Sequence, residues 1–573
     1  MILQALTQLF ADLQRQGKIA SPGWAPAKIS YALCLDQNGV LTQVNPQREE
    51  KQSGKKTILL PKTMELPAAV TRTAGVFPNF LWDNASYLLG VDAKGKPERS
   101  LQCFAACREL HHQLLDGVES PVAKAMLAYF DRWDPEKARE HPALAEDWEE
   151  IMKGGNLAFR VGGVYPQEVP EIRCIWDARY SRVEGELAQC LVSGRADVPE
   201  KIHPSIKGVA GAQSSGAALV SFNAPAFCSY GKEQSLNAPV GKQAAFAYTA
   251  ALNHLLVDRD NVHRIGDTTV VCWAEGAEPE YDAFSNYFLF GDPPPRQIRT
   301  EDLRSIVDKL AAWLPCDELA LDLSRRFYIL GLAPNAARLS VRFFYNSSFG
   351  ELMRNVTAHH KRLEIVGNQY RITPLWALLR ETVNLNTTDK APSAVMAGAT
   401  ARAIVGGTRY PASLLSATML RIRAEREITP GRAAIIKAYY LKNPDPNCPK
   451  EVLTVSLNEN STNVPYTLGR LFALYEAIQE AANPGINATI KDKYFNGAAA
   501  TPAMIFPILN NLCQKHLRKL PVGLAVNYDK QIGQIKDNLS ESYPARLSLA
   551  EQGAFDLGYY QQKQLRYRKK EDK

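Results

Sequence analysis

The stretch Tyr466-Thr-Leu468-Gly-Arg-Leu471-Phe472-Ala-Leu-Tyr475-Glu-Ala-Ile478 repeats apolar and aromatic side chains at the spacing of one face of an α-helix. Comparable patterns occupy 412–426, 431–442, 502–519, 528–539 and 547–566. Prolines at 444, 446, 465, 484, 502, 521 and 544 mark the gaps, because proline suits a helix start and not its interior. From about residue 411 the strand signal disappears, so the end of the chain reads as an all-α helical bundle. It also carries most of the excess charge: residues 431–573 hold 19 Lys and Arg against 13 Asp and Glu, six of the seven net positive charges of the 573-residue chain. Unpaired cations on helices suit the phosphates of a polyanion, which reward charge without demanding particular side-chain chemistry.

Outward from this segment the pattern changes. Residues 1–17 carry a helical stripe of Ile2, Leu3, Leu6, Leu9, Phe10 and Leu13, and Ile29–Leu41 alternates around Asn38-Gly39, a dipeptide suited to a tight hairpin turn. Further strands are expected at 57–60, 86–91, 156–161, 217–223, 268–274, 326–332 and 339–345, with helices near 98–116, 121–132, 240–257, 302–314 and 347–363. The fold class is therefore α+β, a mixed α/β N-terminal and central region followed by the helical bundle. The expected divisions are 1–120, an N-terminal α+β region; 121–410, a central α+β region; and 411–573.

A hydrophobic content of 46% can build several cores, roughly two to four at the usual ~150 residues per domain. No run approaches the length of a membrane span, and Met1-Ile-Leu-Gln-Ala-Leu lacks the basic start of a signal peptide, which points to a cytoplasmic protein with no membrane partner. The ten cysteines are scattered, as suits reduced thiols. Cys103, Cys107 and His111 share one helical face, a geometry open either to a metal or to simple packing. Gly90-Val-Asp-Ala-Lys-Gly95-Lys96 has P-loop spacing, but Pro97 offers neither hydroxyl nor N–H, so a turn between strands is the better reading. His359-His360 diverge by about 100° on a helix and read as surface histidines. There is no Gly-x-Ser-x-Gly and no His-Glu-x-x-His. No cofactor, metal or catalytic residue is expected. Dispersed catalytic residues leave no trace in spacing, so the alternative is a metal-dependent nucleic-acid-processing enzyme using scattered acids with His359-His360.

Residues 208–237 are dense in Gly, Ser, Gln and Asn around an expected strand, Ala217–Asn223. Small residues let the backbone approach a ligand, amides donate and accept at base edges, and Lys232 neutralises a phosphate; turns alone would use the same residues. Within it, Gln213-Ser-Ser-Gly…Leu-Val-Ser-Phe-Asn223, Ser229-Tyr-Gly-Lys-Glu-Gln234 and Asn237-Ala-Pro-Val resemble the signature of the large subunit of the type I-C CRISPR interference complex, Cascade. Leu81-Trp-Asp-Asn84-Ala-Ser-Tyr-Leu-Leu-Gly90, Gly331-Leu-Ala-Pro-Asn335-Ala-Ala-Arg338-Leu-Ser-Val-Arg342, Asn487-Ala-Thr-Ile-Lys-Asp-Lys493-Tyr-Phe and Glu551-Gln-Gly-Ala-Phe…Gly-Tyr-Tyr-Gln extend the resemblance over essentially the whole chain.

The resemblance implies a non-catalytic subunit of an antiviral, RNA-guided ribonucleoprotein complex that recognises the protospacer-adjacent motif in duplex DNA, assists strand opening and R-loop stabilisation, and leaves cutting to a recruited helicase-nuclease. Implied partners are the CRISPR RNA, the target duplex and its displaced single strand, the Cascade backbone and RNA-end-capping subunits, and small subunits made from the same reading frame, with Met419 or a non-Met start near residue 450 as the internal start. Gln213, Ser214, Ser215 and Asn223 are assigned to groove contact, and Lys232, Gln234 and Asn237 to phosphate or base contact beside it. Asn79 and Asn84 form a second amide-rich loop facing the duplex or capping a turn. Arg338 and Arg342 alternate on one strand face toward nucleic-acid backbone or toward a buried carboxylate. Lys491, Lys493, Lys515, Arg518, Lys519, Lys530 and Lys536 are assigned to the displaced or target strand. Arg566, Arg568, Lys569 and Lys570, beside Tyr559, Tyr560 and Tyr567, form either a backbone contact or a frayed end.

Overall fold

The computed structural model describes residues 2–53, 56–70, 72, 75–92, 95–181, 185–258, 261–293, 305–306, 308–309, 312, 314, 321–368, 372–388, 390–539 and 542–567. The protein is α+β. Its contacts divide it into two compact units, residues 3–204 with 221–251 and residues 205–220 with 252–573. The expected helix at 302–314 falls largely outside the described residues, as do Arg568, Lys569 and Lys570.

The first unit runs α1 (Ile2–Arg15), β1 (Trp24–Ile29), β2 (Tyr31–Leu35), β3 (Leu41–Pro46), β4 (Arg48–Ser53), β5 (Lys56–Pro67), β6 (Trp82–Asn84), α2 (Ala85–Leu88), α3 (Pro97–Leu115), α4 (Pro121–Arg132), α5 (Trp148–Met152), β7 (Asn156–Val161), α6 (Pro170–Ser181), β8 (Ala188–Gln189), β9 (Ala196–Asp197) and α7 (Lys242–Val257), whose last turns belong to the second unit. One sheet has the order β3-β2-β7-β6, with β2 and β7 parallel; another, antiparallel, has the order β1-β5-β4. The expected hairpin forms as β2 and β3. Gly39, at φ +79, closes its turn, and a Cβ there would lie 2.3 Å from the Ala125 carbonyl oxygen of α4, so glycine is required twice over. Leu33, Phe159, Met126, Phe130 and Cys107 lie in the core beneath.

The strand expected at 86–91 is instead the short helix α2. Asn84 accepts the Ser86 N–H at 3.0 Å and caps it, and the apolar run Tyr87-Leu-Leu carries no periodicity that separates helix from strand. With α2 and α3 on either side, Gly90–Lys96 joins two helices rather than two strands.

The second unit contains β10 (Val262–Ile265), β11 (Thr268–Ala274), α8 (Pro279–Phe290), β12 (Arg326–Asn335), β13 (Arg338–Ser348), α9 (Phe349–Leu363), α10 (Leu375–Arg380), α11 (Ala394–Val405), α12 (Ala412–Glu425), α13 (Pro430–Lys442), α14 (Val464–Ala482), α15 (Ile490–Ala500), α16 (Pro502–Leu517), α17 (Val522–Lys536) and α18 (Leu549–Leu565). Strands β10 to β13 form an antiparallel sheet in chain order, and every residue of β11 is buried. One apolar cluster runs from Val270 and Phe327 of this sheet through Leu352 and Leu415 to Phe472 and Phe555 of the C-terminal helices. Among the described residues no helix is long and apolar enough to cross a membrane.

The strand expected at 217–223 does not form. Ala217 bridges Ile206 and Ala218 bridges Arg338, after which the chain passes from the second unit to the first at Ser221. The alternating run therefore has a sheet edge beside it for two residues only.

Candidate nucleic-acid interface

Residues 205–218 of the second unit are fastened at several backbone points. Ile206 and Ala217 exchange two N–H···O bonds of 2.9 Å each, Ala218 donates to the Ala337 carbonyl at 3.0 Å, and Ala218 accepts from the Leu339 N–H at 2.9 Å. The Ala210 N–H donates to Thr269 Oγ1 at 3.0 Å. Asn253 on α7 accepts from the Lys207 N–H at 2.8 Å and donates to the Ser205 carbonyl at 3.1 Å, a positioning role that its place in an apolar helix concealed. Between these fastenings the Gly216 N–H closes a turn on the Gln213 carbonyl at 2.9 Å. Gly216 has φ +99, and a Cβ there would meet the Ser205 Cβ at 2.7 Å. Gln213, Ser214 and Ser215 at this turn are exposed, and among the described residues their side chains have no hydrogen-bond partner. A held backbone presenting three unengaged donors and acceptors is suited to base edges or phosphates.

In the first unit, residues 229–237 form a loop closed on itself by Asn237. Its Oδ1 accepts the Ser229 N–H at 2.8 Å, and its Nδ2 donates to the carbonyls of Lys232 at 3.0 Å and Gln234 at 2.8 Å. Asn237 thus shapes the loop with the groups the sequence reading assigned to a ligand. Lys232 and Gln234 are exposed, as is Asn223. Tyr230 is 99% exposed at φ +53, and Gln234 has φ +46, left-handed conformations that cost non-glycine residues energy and persist only when the surroundings enforce them. The sequence reading missed Tyr230, although an aromatic between Ser229 and Gly231 in a polar loop was the available signal.

The second amide-rich loop has a different character. Asn79 is 4% exposed, and its Oδ1 accepts the Val70 N–H at 2.9 Å, while Asn84 is the cap of α2. Asp83 accepts both terminal amines of Arg72 and the N–H groups of Asn79 and Asn84, and Arg72 stacks 4.1 Å from the Tyr87 ring centroid. These residues hold one another, which leaves the two asparagine carbonyls occupied.

A family model described as CRISPR-associated protein (Cas_Csd1) matches residues 6–567. The chain belongs to this CRISPR-associated family. No curated protein matches it.

In this Csd1-family chain, strand alternation does not link Arg338 and Arg342. The pairing of β12 with β13 shifts between Gly331 and Leu332, leaving Arg342 as the extra residue of a bulge, and Arg342 reaches Asp267 Oδ2 at 2.7 Å. Both Asp267 and Arg342 are partly exposed, so this is a surface pair and not the buried pairing considered as its alternative. On the C-terminal helices, Lys493, Lys515, Arg518, Lys519, Lys530 and Lys536 are exposed. Lys519 Nζ donates to Asn483 Oδ1 at 3.0 Å. Lys491 is half-buried, 5.9 Å from the Tyr559 ring centroid, and burial together with Lys563 lowers its pKa. Arg566 pairs with Glu480 at 2.8 Å, and Tyr559 and Tyr560 belong to the core, so of that aromatic group only Tyr567 is exposed.

The His359-His360 pair and His111 are packed inside their units. His359 is 2% exposed, contrary to the surface reading, and its Nδ1 lies 2.6 Å from the Tyr410 hydroxyl; His360 Nε2 donates to the Phe288 carbonyl at 2.9 Å. The apolar face of α9 turns both rings inward. His111 donates from Nδ1 to the Cys107 carbonyl at 2.8 Å and accepts the Leu81 N–H on Nε2 at 3.0 Å, so both ring nitrogens are engaged within the unit. Among the described residues, no three His, Cys, Asp or Glu side chains are grouped to hold a metal ion.

Proposed function

We propose that this CRISPR-associated protein is the non-catalytic large subunit of a type I-C RNA-guided surveillance complex. It reads the protospacer-adjacent motif in duplex DNA, assists strand opening, and helps recruit a helicase-nuclease. The guide RNA supplies the long sequence readout by base pairing, so this chain needs to recognise only a few base pairs and hold strands. The observation that carries the reading is the fastened turn at 211–216, which offers Gln213, Ser214 and Ser215 without internal partners. Lys232 and the exposed cations of α15 to α17 support backbone contact, and Tyr230 adds an aromatic surface.

The test is a gel-shift titration of the full-length chain, in Mg²⁺ or Mn²⁺, against motif-bearing and scrambled duplexes. The motif duplex binds more tightly, Gln213→Ala reduces that preference by about 1–3 kcal/mol while leaving scrambled binding unchanged, and both duplexes are recovered uncut. Equal loss on both duplexes removes Gln213 from the readout set, and cleavage by the purified chain overturns the non-catalytic assignment.

A further inference from the structure

Trp376, 50% exposed, lines two separate concavities of the second unit. The first, about 410 Å³, is lined also by Gly367, Asn368, Arg380, Glu381 and Gly431. The second, about 430 Å³, is lined also by His263, Arg264, Phe290, Asp292 and Pro392. Both volumes fall within the range of small-ligand sites, roughly 300–1,000 Å³. The short helix α10 explains the arrangement: Leu375, Leu378 and Leu379 are buried, and Trp376 and Arg380, four residues apart and hence neighbours on one face, are left outward.

Each cleft is lined by one arginine and one carboxylate, and they differ in how far they are engaged. The Glu381 carboxylate accepts the Thr429 hydroxyl at 2.6 Å and lies 3.6 Å from Arg432, while Asp292 faces His263 Nε2 at 3.5 Å. His263 is itself held flat against Phe290, with centroids 3.8 Å apart. Arg380 is exposed with no partner among the described residues. Arg264 gives its Nε to the Gly266 carbonyl at 2.9 Å, which leaves its two terminal amines for solvent or ligand. A flat aromatic flanked by two clefts and two arginines matches what single-stranded nucleic acid recognition uses: stacking on unpaired bases and cations for the linking phosphates. Paired bases are already stacked and closed to an indole.

We infer that the two clefts take successive unpaired bases of a single-stranded nucleic acid, with Trp376 inserted between them and Arg380 and Arg264 facing the flanking phosphates. The site goes beyond motif readout, because its ligand is unpaired and its recognition independent of sequence.

Fluorescence anisotropy of the full-length chain with a labelled oligodeoxythymidylate, and with an abasic oligomer of equal length, tests this. Trp376→Ala weakens the thymidylate complex about 5- to 100-fold, Trp376→Phe retains most of the affinity, and Trp376→Ala makes no difference on the abasic strand. Arg380→Gln, which leaves the indole in place, weakens both oligomers. Equal thymidylate affinity of wild type and Trp376→Ala overturns the site, as does a wild type that binds no single strand. Affinity for motif-bearing duplex is measured alongside and stays unchanged in Trp376→Ala; its absence in the wild type would count against the motif reading alone.

Discussion

The imidazole of His111 accepts the N–H of Leu81, a residue at φ +69, and so secures a left-handed position inside Leu81-Trp-Asp-Asn84. Burial lowers its pKa to about 4, so it stays neutral and keeps one nitrogen as an acceptor at neutral pH. Asp556 is the opposite case. It is 2% exposed, its Oδ1 has no partner among the described residues, and burial raises its carboxyl well above the ordinary value against the pull of Arg423. Because the folded pKa lies above the unfolded one, the native state holds the proton more tightly; the contribution of this carboxyl to stability is fully present below about pH 4 and is lost as pH rises toward the folded value. Asp556→Asn removes that dependence, so thermal melting finds the variant about 1–3 kcal/mol more stable at pH 7 and the two proteins converging near pH 4. At this scale the sequence showed which side chains had binding chemistry but not whether they were free to use it. Gln213 and Asn237 look alike in a Gly/Ser/Asn-rich run, and only the fold reveals that one amide is unengaged and the other satisfied at three points.

Helices α14 and α18 cross through glycine. A Cβ on Gly469 would lie 2.0 Å from the Phe555 carbonyl oxygen, and one on Gly558 would lie 2.1 Å from that of Tyr466. Backbones this close cannot admit a methyl group without separating the helices, so Gly558→Ala or Gly469→Ala lowers stability by about 1–3 kcal/mol or more. Gly523 and Gly533 on α17 meet nothing within 4 Å, and alanine there raises stability by about 0.5–1 kcal/mol. Melting temperatures of the four variants check both directions. The resemblance motif Glu551-Gln-Gly-Ala-Phe…Gly-Tyr-Tyr-Gln is thus a packing seam. Periodic helices such as α4 and α12 were legible because burial of one face imposes a 3.6-residue repeat, and α14, buried on every side from Pro465 to Ile478, was legible from its length and apolar content. Elements such as α11, rich in Ala, and α15, which ends in Gly-Ala-Ala-Ala, carry little of that contrast, and the run 217–223 failed because strand formation needs a neighbouring edge that spacing does not encode.

Across the whole molecule the charge excess keeps to the C-terminal helices, where Lys515, Arg518 and Lys519 lie at the end of α16 and just beyond it. Reversing all three charges reduces the salt slope of single-strand binding by about 2 if each meets a phosphate, whatever the base sequence. An unchanged slope in anisotropy titrations from low to moderate salt assigns them to solvent instead. Composition and charge location were readable from the chain because they need no contacts. The exchange of residues 205–220 and 221–251 between units was not, since it depends on partners far apart in sequence.

One carboxamide ties the Tyr230 loop, and amides age. Slow hydrolysis of Asn237 to aspartate would preserve its acceptor but turn the nitrogen that serves two carbonyls into an oxygen that repels them. Stored protein would then lose the loop's shape through a single-dalton change, with its helices and sheets untouched.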